Sequence, residues 1–316
     1  MAVQAQSAPD RGGAIPPDVF SRLSVDSREC LQRLLAHPEP AMPDFGLVKQ
    51  AAVLIGLFER PGMELEVLLT TRAKTMRRQP SQTALPGGRV DLEDESVYHT
   101  ARREASEEVD LPLDSQHVHY LTTLEPVITV LPLGAHHRNH IVVIPVVVFI
   151  SDPTILDGLT RNPDEVDFIF SHPLRGVLDG FPSEQYRAGL ERIGGEWWPH
   201  EEEFHSISDR LGVTGPHRMH RFRTSKSPIK GLTSDILIQA ATVAYGRPPT
   251  YDIYAKDQEP FTAILSTVVA ELPGILEQDE KDRLAGRVQE KGEKKVEWGA
   301  IDGGPGVRSA ESWSAA

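Results

Sequence analysis

The sequence predicts an α/β fold, with one globular domain over residues 50–252 and helical or charged appendages on either side. Three observations point to it. Runs rich in Val, Ile and Leu, of strand length, occur at residues 51–58, 65–71 and 141–150. A strong helical pattern at 96–109 follows the turn Pro86-Gly87-Gly88 directly. Strands and helices then alternate irregularly, which suits a mixed sheet covered by helices. With 316 residues and 39% hydrophobic content, the chain can bury a substantial core.

In chain order, residues 1–17 are small, polar and proline-containing, and are expected to be disordered. An N-terminal helical extension is expected over 18–49. Phe20, Leu23, Leu31, Leu34 and Leu35 recur there at helical spacing, as one helix or a pair, and Pro38, Pro40 and Pro43 end it. The strands at 51–58 and 65–71 flank Pro61-Gly62, which reads as a hairpin turn. In the helix at 96–109, Asp94 is the expected N-cap and Glu95 lies in the first turn. Further strands are expected at 118–124, 141–150 and 166–170. A helix at 233–245 has Thr233 as its capping residue and Gly246 as its stop. A helical segment over 253–276 and a charged, disordered tail over 277–316 complete the chain.

Charge narrows the choice of partner. Lys and Arg total 33 against 46 Asp and Glu, a formal net charge of −13. A protein that neutralises a phosphate backbone wants the opposite balance, so nucleic acid is not an expected partner. The apolar run at 141–150 is about half of a bilayer span and contains Pro145, so no membrane association is expected. Cys30 is the only cysteine, which rules out an internal disulfide and suits an intracellular compartment. The sequence carries no signal for an oligomeric state.

The chemistry concentrates on the helix at 96–109. Glu104, Glu107, Glu108 and Asp110 crowd its C-terminal turn, where the helix dipole disfavours anions and like charges repel. At about 100° per residue, Glu104 and Glu108 project within roughly 40° of each other. They border a small-residue stripe, Val97, Ala101 and Ala105, that should pack on the sheet. A divalent cation would turn this repulsion into an asset. The plainer reading is a solvated acidic face. Against it stand the upstream glycine pair and Arg103 directly before the first glutamate.

Gly88, then Arg103-Glu104, then Glu107-Glu108 and Leu111 resemble the signature of the Nudix hydrolases. The resemblance implies a Nudix-type α/β/α sandwich with a mixed β-sheet and a catalytic loop-helix-loop. It also implies Mg²⁺ or Mn²⁺ held by Glu104 and Glu108, with Glu107 as a further ligand or as base for the attacking water. Arg103 would orient these carboxylates. Two departures stand out. The spacing from Gly88 to Arg103 is one residue longer than the general pattern, with Asp94 where an early glutamate is usual. Asp110 replaces the glycine after the last glutamate, and Asp tolerates the left-handed conformation expected there.

The longer spacing is shared by the coenzyme A diphosphatases of that family. Residues 68–88 resemble their second motif, with Arg72 and Arg77 matching, Ser81 in place of glycine and Leu85 in place of phenylalanine. Arg72, Lys74, Arg77 and Arg78 form a basic patch in an acidic chain, and arginine forks suit phosphate. Arg72 and Arg77 are the expected substrate contacts. The amides near Gly87 and Gly88 are expected to join them, because no side chain keeps a phosphate away from them. Pro163-Asp164-Glu165-Val166 and Pro228-Ile229-Lys230-Gly231-Leu232-Thr233 look like further segments of this branch, the latter of its fungal, peroxisomal type.

The implied reaction is metal-dependent hydrolysis of coenzyme A, or a derivative, to 3′,5′-ADP and 4′-phosphopantetheine. The alternatives are a hydrolase of oxidised nucleotides or other dinucleotides, and a non-catalytic binding module. The resemblance implies a peroxisomal location, although the last residues are not a Ser-Lys-Leu address; mitochondrial and cytoplasmic placements stay open. Glu165 is expected to be structural, and His136, His137 and His140 to lie in a solvated loop.

Overall fold

A computed structural model describes residues 15–114, 116–284 and 298–300. The expected disorder at 1–14 and over 285–297 and 301–316 lies outside the described residues. The N-terminal extension is a helix pair, α1 (Pro17–Arg22) and α2 (Val25–Ala36), the second capped by the Ser24 hydroxyl. Then come β1 (Lys49–Glu59), β2 (Leu65–Arg72), β3 (Thr83–Ala84), β4 (Gly87–Arg89) and α3 (Val97–Val109). The middle of the chain adds β5 (Val118–Thr123), β6 (Val127–Ile128), β7 (Ile141–Ile150), α4 (Thr154–Asp157), β8 (Val166–Pro173), α5 (Leu174–Asp179) and α6 (Glu184–Arg187). The last part contains β9 (His205–Gly212), β10 (Gly215–Phe222), β11 (Ile229–Lys230), α7 (Leu232–Tyr245), α8 (Phe261–Leu284) and β12 (Gly299–Ala300).

The main sheet runs β3-β2-β1-β7-β5, with β4 on β1, β6 on β7 and β8 on β2. It is mixed: β1 and β7 pair in parallel from Lys49↔Ile141 to Leu57↔Phe149, while β1–β2 and β1–β4 are antiparallel. Side chains alternate between its faces, as the period of two requires. Ala52, Leu54, Val146 and Val148 pack with Ala101, Ala105 and Val109 of α3. Ile55, Leu57, Val147 and Phe149 face the other way, onto Leu31 and Leu34 of α2, Leu178 of α5 and Leu237 of α7. Helices on both faces make the α/β/α sandwich. Pro145 is tolerated inside β7 because it falls where β5 hands over to β6, with its carbonyl accepting from the amide of Leu124.

The structure corrects three expectations. The helical segment does not stop at 276: α8 continues to Leu284, so the start of the supposed tail is ordered helix. Its Asp279 pairs with His136 at 2.6 Å, and His140 is buried with Nδ1 against the Thr129 carbonyl, so these two histidines are held by the fold while Arg138 and Asn139 between them are exposed. Thr233 does not cap α7; Gly231 stands at the N-cap, and the Thr233 hydroxyl donates to the carbonyl of Thr83.

The β9–β10 hairpin has no apolar alternation and is not among the strands expected from the sequence. Most of its buried positions are polar, although Met219 and Phe222 are apolar. Arg218 forks onto Asp209 at 2.7 and 2.8 Å, and His220 bonds His205 and the Ile253 carbonyl. Burial pushes His205 and His172 down to about 3. In the unfolded chain these imidazoles titrate near the ordinary value of about 6.5. Below that pH the unfolded state binds protons that the native state refuses. Stability is therefore complete above about pH 6.5 and falls as the pH drops toward 3. At pH 5 each of the two histidines should cost about 1–2 kcal/mol. Urea midpoints at pH 7 and pH 5 check this, with His172→Phe expected to recover part of the loss.

Candidate active site

The α3 N-cap is Ser96, whose hydroxyl accepts from the amide of His99; Asp94 does not cap the helix. Asp94 turns inward instead. It accepts a fork from Arg103, Nε to Oδ1 at 3.0 Å and Nη2 to Oδ2 at 3.0 Å, together with the Thr100 hydroxyl. The Arg103 guanidinium beside Asp94 holds its carboxyl down at about 2. In return, chiefly through that hydrogen bond, Arg103 is pushed above its ordinary value. Its remaining donors reach Glu104 at 3.0 Å, Glu107 at 3.4 Å and the Arg89 carbonyl at 3.1 Å. One planar cation thus joins the loop before α3 to two of the glutamates.

At the other end of α3, Asp110 adopts the left-handed conformation (φ 59°, ψ 34°), and its amide bonds the Ser106 carbonyl. The replacement of glycine leaves the helix ending intact.

Glu104 and Glu108 lie against β4. An added Cβ on Gly88 would sit 2.3–2.4 Å from the carboxylate of Glu104, so the space beside this glycine is filled by that side chain. The amide of Gly87 donates to Glu108 Oε2 at 3.3 Å. The glycine pair thus makes room for the protein's own carboxylates, a use that was not expected of it. Glu108 is buried, which pushes it up to about 8 against the lowering effects of the Gly87 amide and Arg72. Glu104 is raised by the same cause, opposed by Arg103. Glu165 raises both further, which brings this residue, expected to be structural, into the electrostatics of the site. Its loop is tied to α3 through the Asn162 amide, which donates to the Glu108 carbonyl.

The other expected residues divide. Arg72, at the end of β2, acts on Glu108, and its Nε is buried without a hydrogen-bond partner. Glu107 projects beside Arg103 with its side chain 55% exposed. Arg77 and Arg78 stand exposed on the turn between β2 and β3.

Residues 48–189 match the NUDIX domain. That stretch is thus similar to a NUDIX domain. It is 34% identical over 209 residues to "Nudix hydrolase 15, mitochondrial" of Arabidopsis thaliana, covering 66% of this chain and 63% of that protein. It is 34% identical over 207 residues to "Nudix hydrolase 22, chloroplastic" of the same plant, covering 64% and 58%. It is also 37% identical over 128 residues to "Uncharacterized Nudix hydrolase NudL" of Yersinia enterocolitica, covering 40% and 58%. The chain thus spans a little under two thirds of the length of these relatives. No helix among the described residues is long and apolar enough to cross a membrane.

Nudix hydrolases generally use divalent ions such as Mg²⁺ or Mn²⁺, and the residues present fit one. Two partly or fully buried carboxylates, both raised by burial and by Glu165, need a positive charge beside them. Among the described residues no group of three or more His, Cys, Asp or Glu side chains forms a ready cage. The pair is enough for Mg²⁺, which takes one or two carboxylates and completes its shell with water and phosphate oxygens.

Within the stretch that matches the NUDIX domain, the role of Asp94 could have been found from the sequence, since it stands where the resembled signature has an early acidic residue. Asp94→Asn should release the Arg103 fork. We expect a loss of about 2 kcal/mol in stability, the scale of a charge-assisted hydrogen bond. Thermal unfolding of this variant at pH 7 checks it.

Proposed function

We propose that this chain hydrolyses the diphosphate linkage of coenzyme A or a derivative to 3′,5′-ADP and 4′-phosphopantetheine. The observation that carries the reading is the pair Glu104 and Glu108 held against Gly87 and Gly88, with an unpaired Arg72 donor beside Glu108. A bound Mg²⁺ or Mn²⁺ ion would neutralise diphosphate charge and lower the pKa of an attacking water. Glu104 and Glu108 are the ligands in this reading, with Glu107 as a further one. Arg103 holds Glu104 in place through a guanidinium that is itself anchored on Asp94. Glu107, open to solvent beside Arg103, is equally placed to take the proton of the attacking water. Arg72 meets the diphosphate, and Arg77 contacts the substrate from the exposed turn. The glycine amides serve the substrate through the carboxylates they position, Gly87 by its hydrogen bond to Glu108.

The choice of coenzyme A among diphosphates rests on the resemblance of residues 68–88, Arg72 and Arg77 included, and so does a peroxisomal location. The test is direct. Purified protein is incubated with coenzyme A and Mg²⁺ or Mn²⁺, and the products are separated by chromatography. We expect both products from the wild type and neither from Glu108→Gln. Folded wild-type protein that releases neither would sink the reading. Dephospho-coenzyme A provides the second arm. If Arg72→Ala and Arg77→Ala slow both substrates equally, neither arginine recognises the 3′-phosphate.

A further inference from the structure

The basic patch on the turn after β2 gains an aromatic and another cation from segments distant in sequence. Phe168 of β8 pairs across the strands with Thr71, the residue before Arg72, and 40% of its surface is exposed. Lys226 Nζ stands 4.9 Å from the centre of its ring. The amide of Lys74 bonds the carboxylate of Asp167 at 3.1 Å, which places the Lys74 backbone beside the same stretch of β8. Phe181 and Tyr254 are also exposed, but among the described residues only Phe168 of these three has a cation over its face.

The loop that carries Lys226 is held in place. Ser227 is fully buried; its hydroxyl bonds Thr71 at 3.0 Å and Thr83 at 2.8 Å, while the Thr224 hydroxyl donates to its carbonyl at 2.9 Å. The Lys226 amide donates to the Thr224 hydroxyl at 2.9 Å. Buried hydroxyls therefore clamp this loop to β2 and β3.

An exposed ring with an ammonium group over its face, in a protein of net charge −13, suits a ligand that is both aromatic and anionic. The position fits as well. Phe168 lies three residues along the chain from Glu165, which acts on both Glu104 and Glu108. Its cross-strand partner Thr71 precedes Arg72, which acts on Glu108. We propose that Phe168, with Lys226 beside it, is the platform on which the nucleobase of the substrate stacks. The inference rests on the proposed reaction for the identity of the nucleotide, not for the existence of the platform.

The experiment is calorimetric titration of the full chain with 3′,5′-ADP, which carries the base, and with 4′-phosphopantetheine, which does not. Phe168→Leu keeps an apolar side chain in the strand and removes the ring. It should weaken 3′,5′-ADP about tenfold, the scale of one base–aromatic stack, and leave 4′-phosphopantetheine unchanged. Phe168→Trp should restore binding, with its indole fluorescence quenched on addition of 3′,5′-ADP. Lys226→Gln should weaken 3′,5′-ADP several-fold and flatten its salt dependence. Wild-type affinity for 3′,5′-ADP in Phe168→Leu, equal weakening of both ligands, or no binding of 3′,5′-ADP by the wild type would overturn the inference. Should coenzyme A go uncleaved while Phe168→Leu still weakens 3′,5′-ADP, the proposed reaction fails and the platform stands.

Discussion

Gly88→Ala should cripple the proposed hydrolysis while leaving the fold intact. The methyl group would arrive 2.3–2.4 Å from the Glu104 carboxylate, which is the mobile end of a side chain and can swing away. The strand therefore survives, but Glu104 leaves the position where Arg103 holds it. Displacing one of two paired carboxylates should cost roughly 100-fold or more in turnover. Gly87→Ala behaves in the opposite way. Its Cβ would lie 2.4 Å from the Ala52 carbonyl oxygen and 2.6 Å from Val53 Cα, at a backbone φ of +155°. Backbone cannot move aside so readily, and we expect a loss of about 3 kcal/mol or more in stability. Circular dichroism melts and initial rates on the two variants separate the effects. A Gly88→Ala enzyme with wild-type turnover would mean that the position of Glu104 is irrelevant to the chemistry.

Glu108→Gln should remove activity and add stability in the absence of metal. Glu108 is 7% exposed, and burial raises its carboxyl to about 8. The unfolded chain ionises this group near the ordinary value of about 4.3. Its native penalty is absent below that pH, grows as pH rises through the interval, and levels off above about 8. At pH 7.5 it amounts to about 2–4 kcal/mol, which the neutral amide avoids. In EDTA the variant should therefore melt above the wild type. Added Mg²⁺ should raise the wild type by mass action and leave the variant unmoved, narrowing or reversing the gap. Turnover should fall on the order of 1000-fold. Equal Mg²⁺ shifts in both proteins would show that Glu108 does not hold the ion.

Much of the fold and the acidic part of the site could be read in one dimension, because both depend on local composition and spacing. Continuous Val-, Ile- and Leu-rich runs at β1, β2 and β7 and the small-residue stripe on α3 announce a sheet with a helix laid on it. The spacing of Glu104 and Glu108 places both carboxylates at the rim of that stripe. Even the left-handed Asp110 follows from local conformational preference. Asp94 shows where such reasoning slips. A carboxylate just before a helix favours capping, but here the fork of Arg103, nine residues on, takes it for a stronger pairing, and Ser96 caps instead.

What lies beyond the sequence is decided by contacts between distant segments. The β9–β10 hairpin is held by buried polar pairs such as Arg218–Asp209, which leave no apolar alternation to read. Residues far apart in the chain, Gly88 and Glu104, Arg72 and Glu108, Phe168 and Lys226, meet only when β4, β2 and β8 take their places around β1 and α3. The sequence by itself determined the strands β1, β2, β5, β7 and β8 and which helix carries the carboxylates, since local composition and spacing govern both. Only the tertiary structure decided that the glycines cradle those carboxylates, that burial raises them, and that an aromatic ring stands near. Desolvation and close approach are properties of the packed chain.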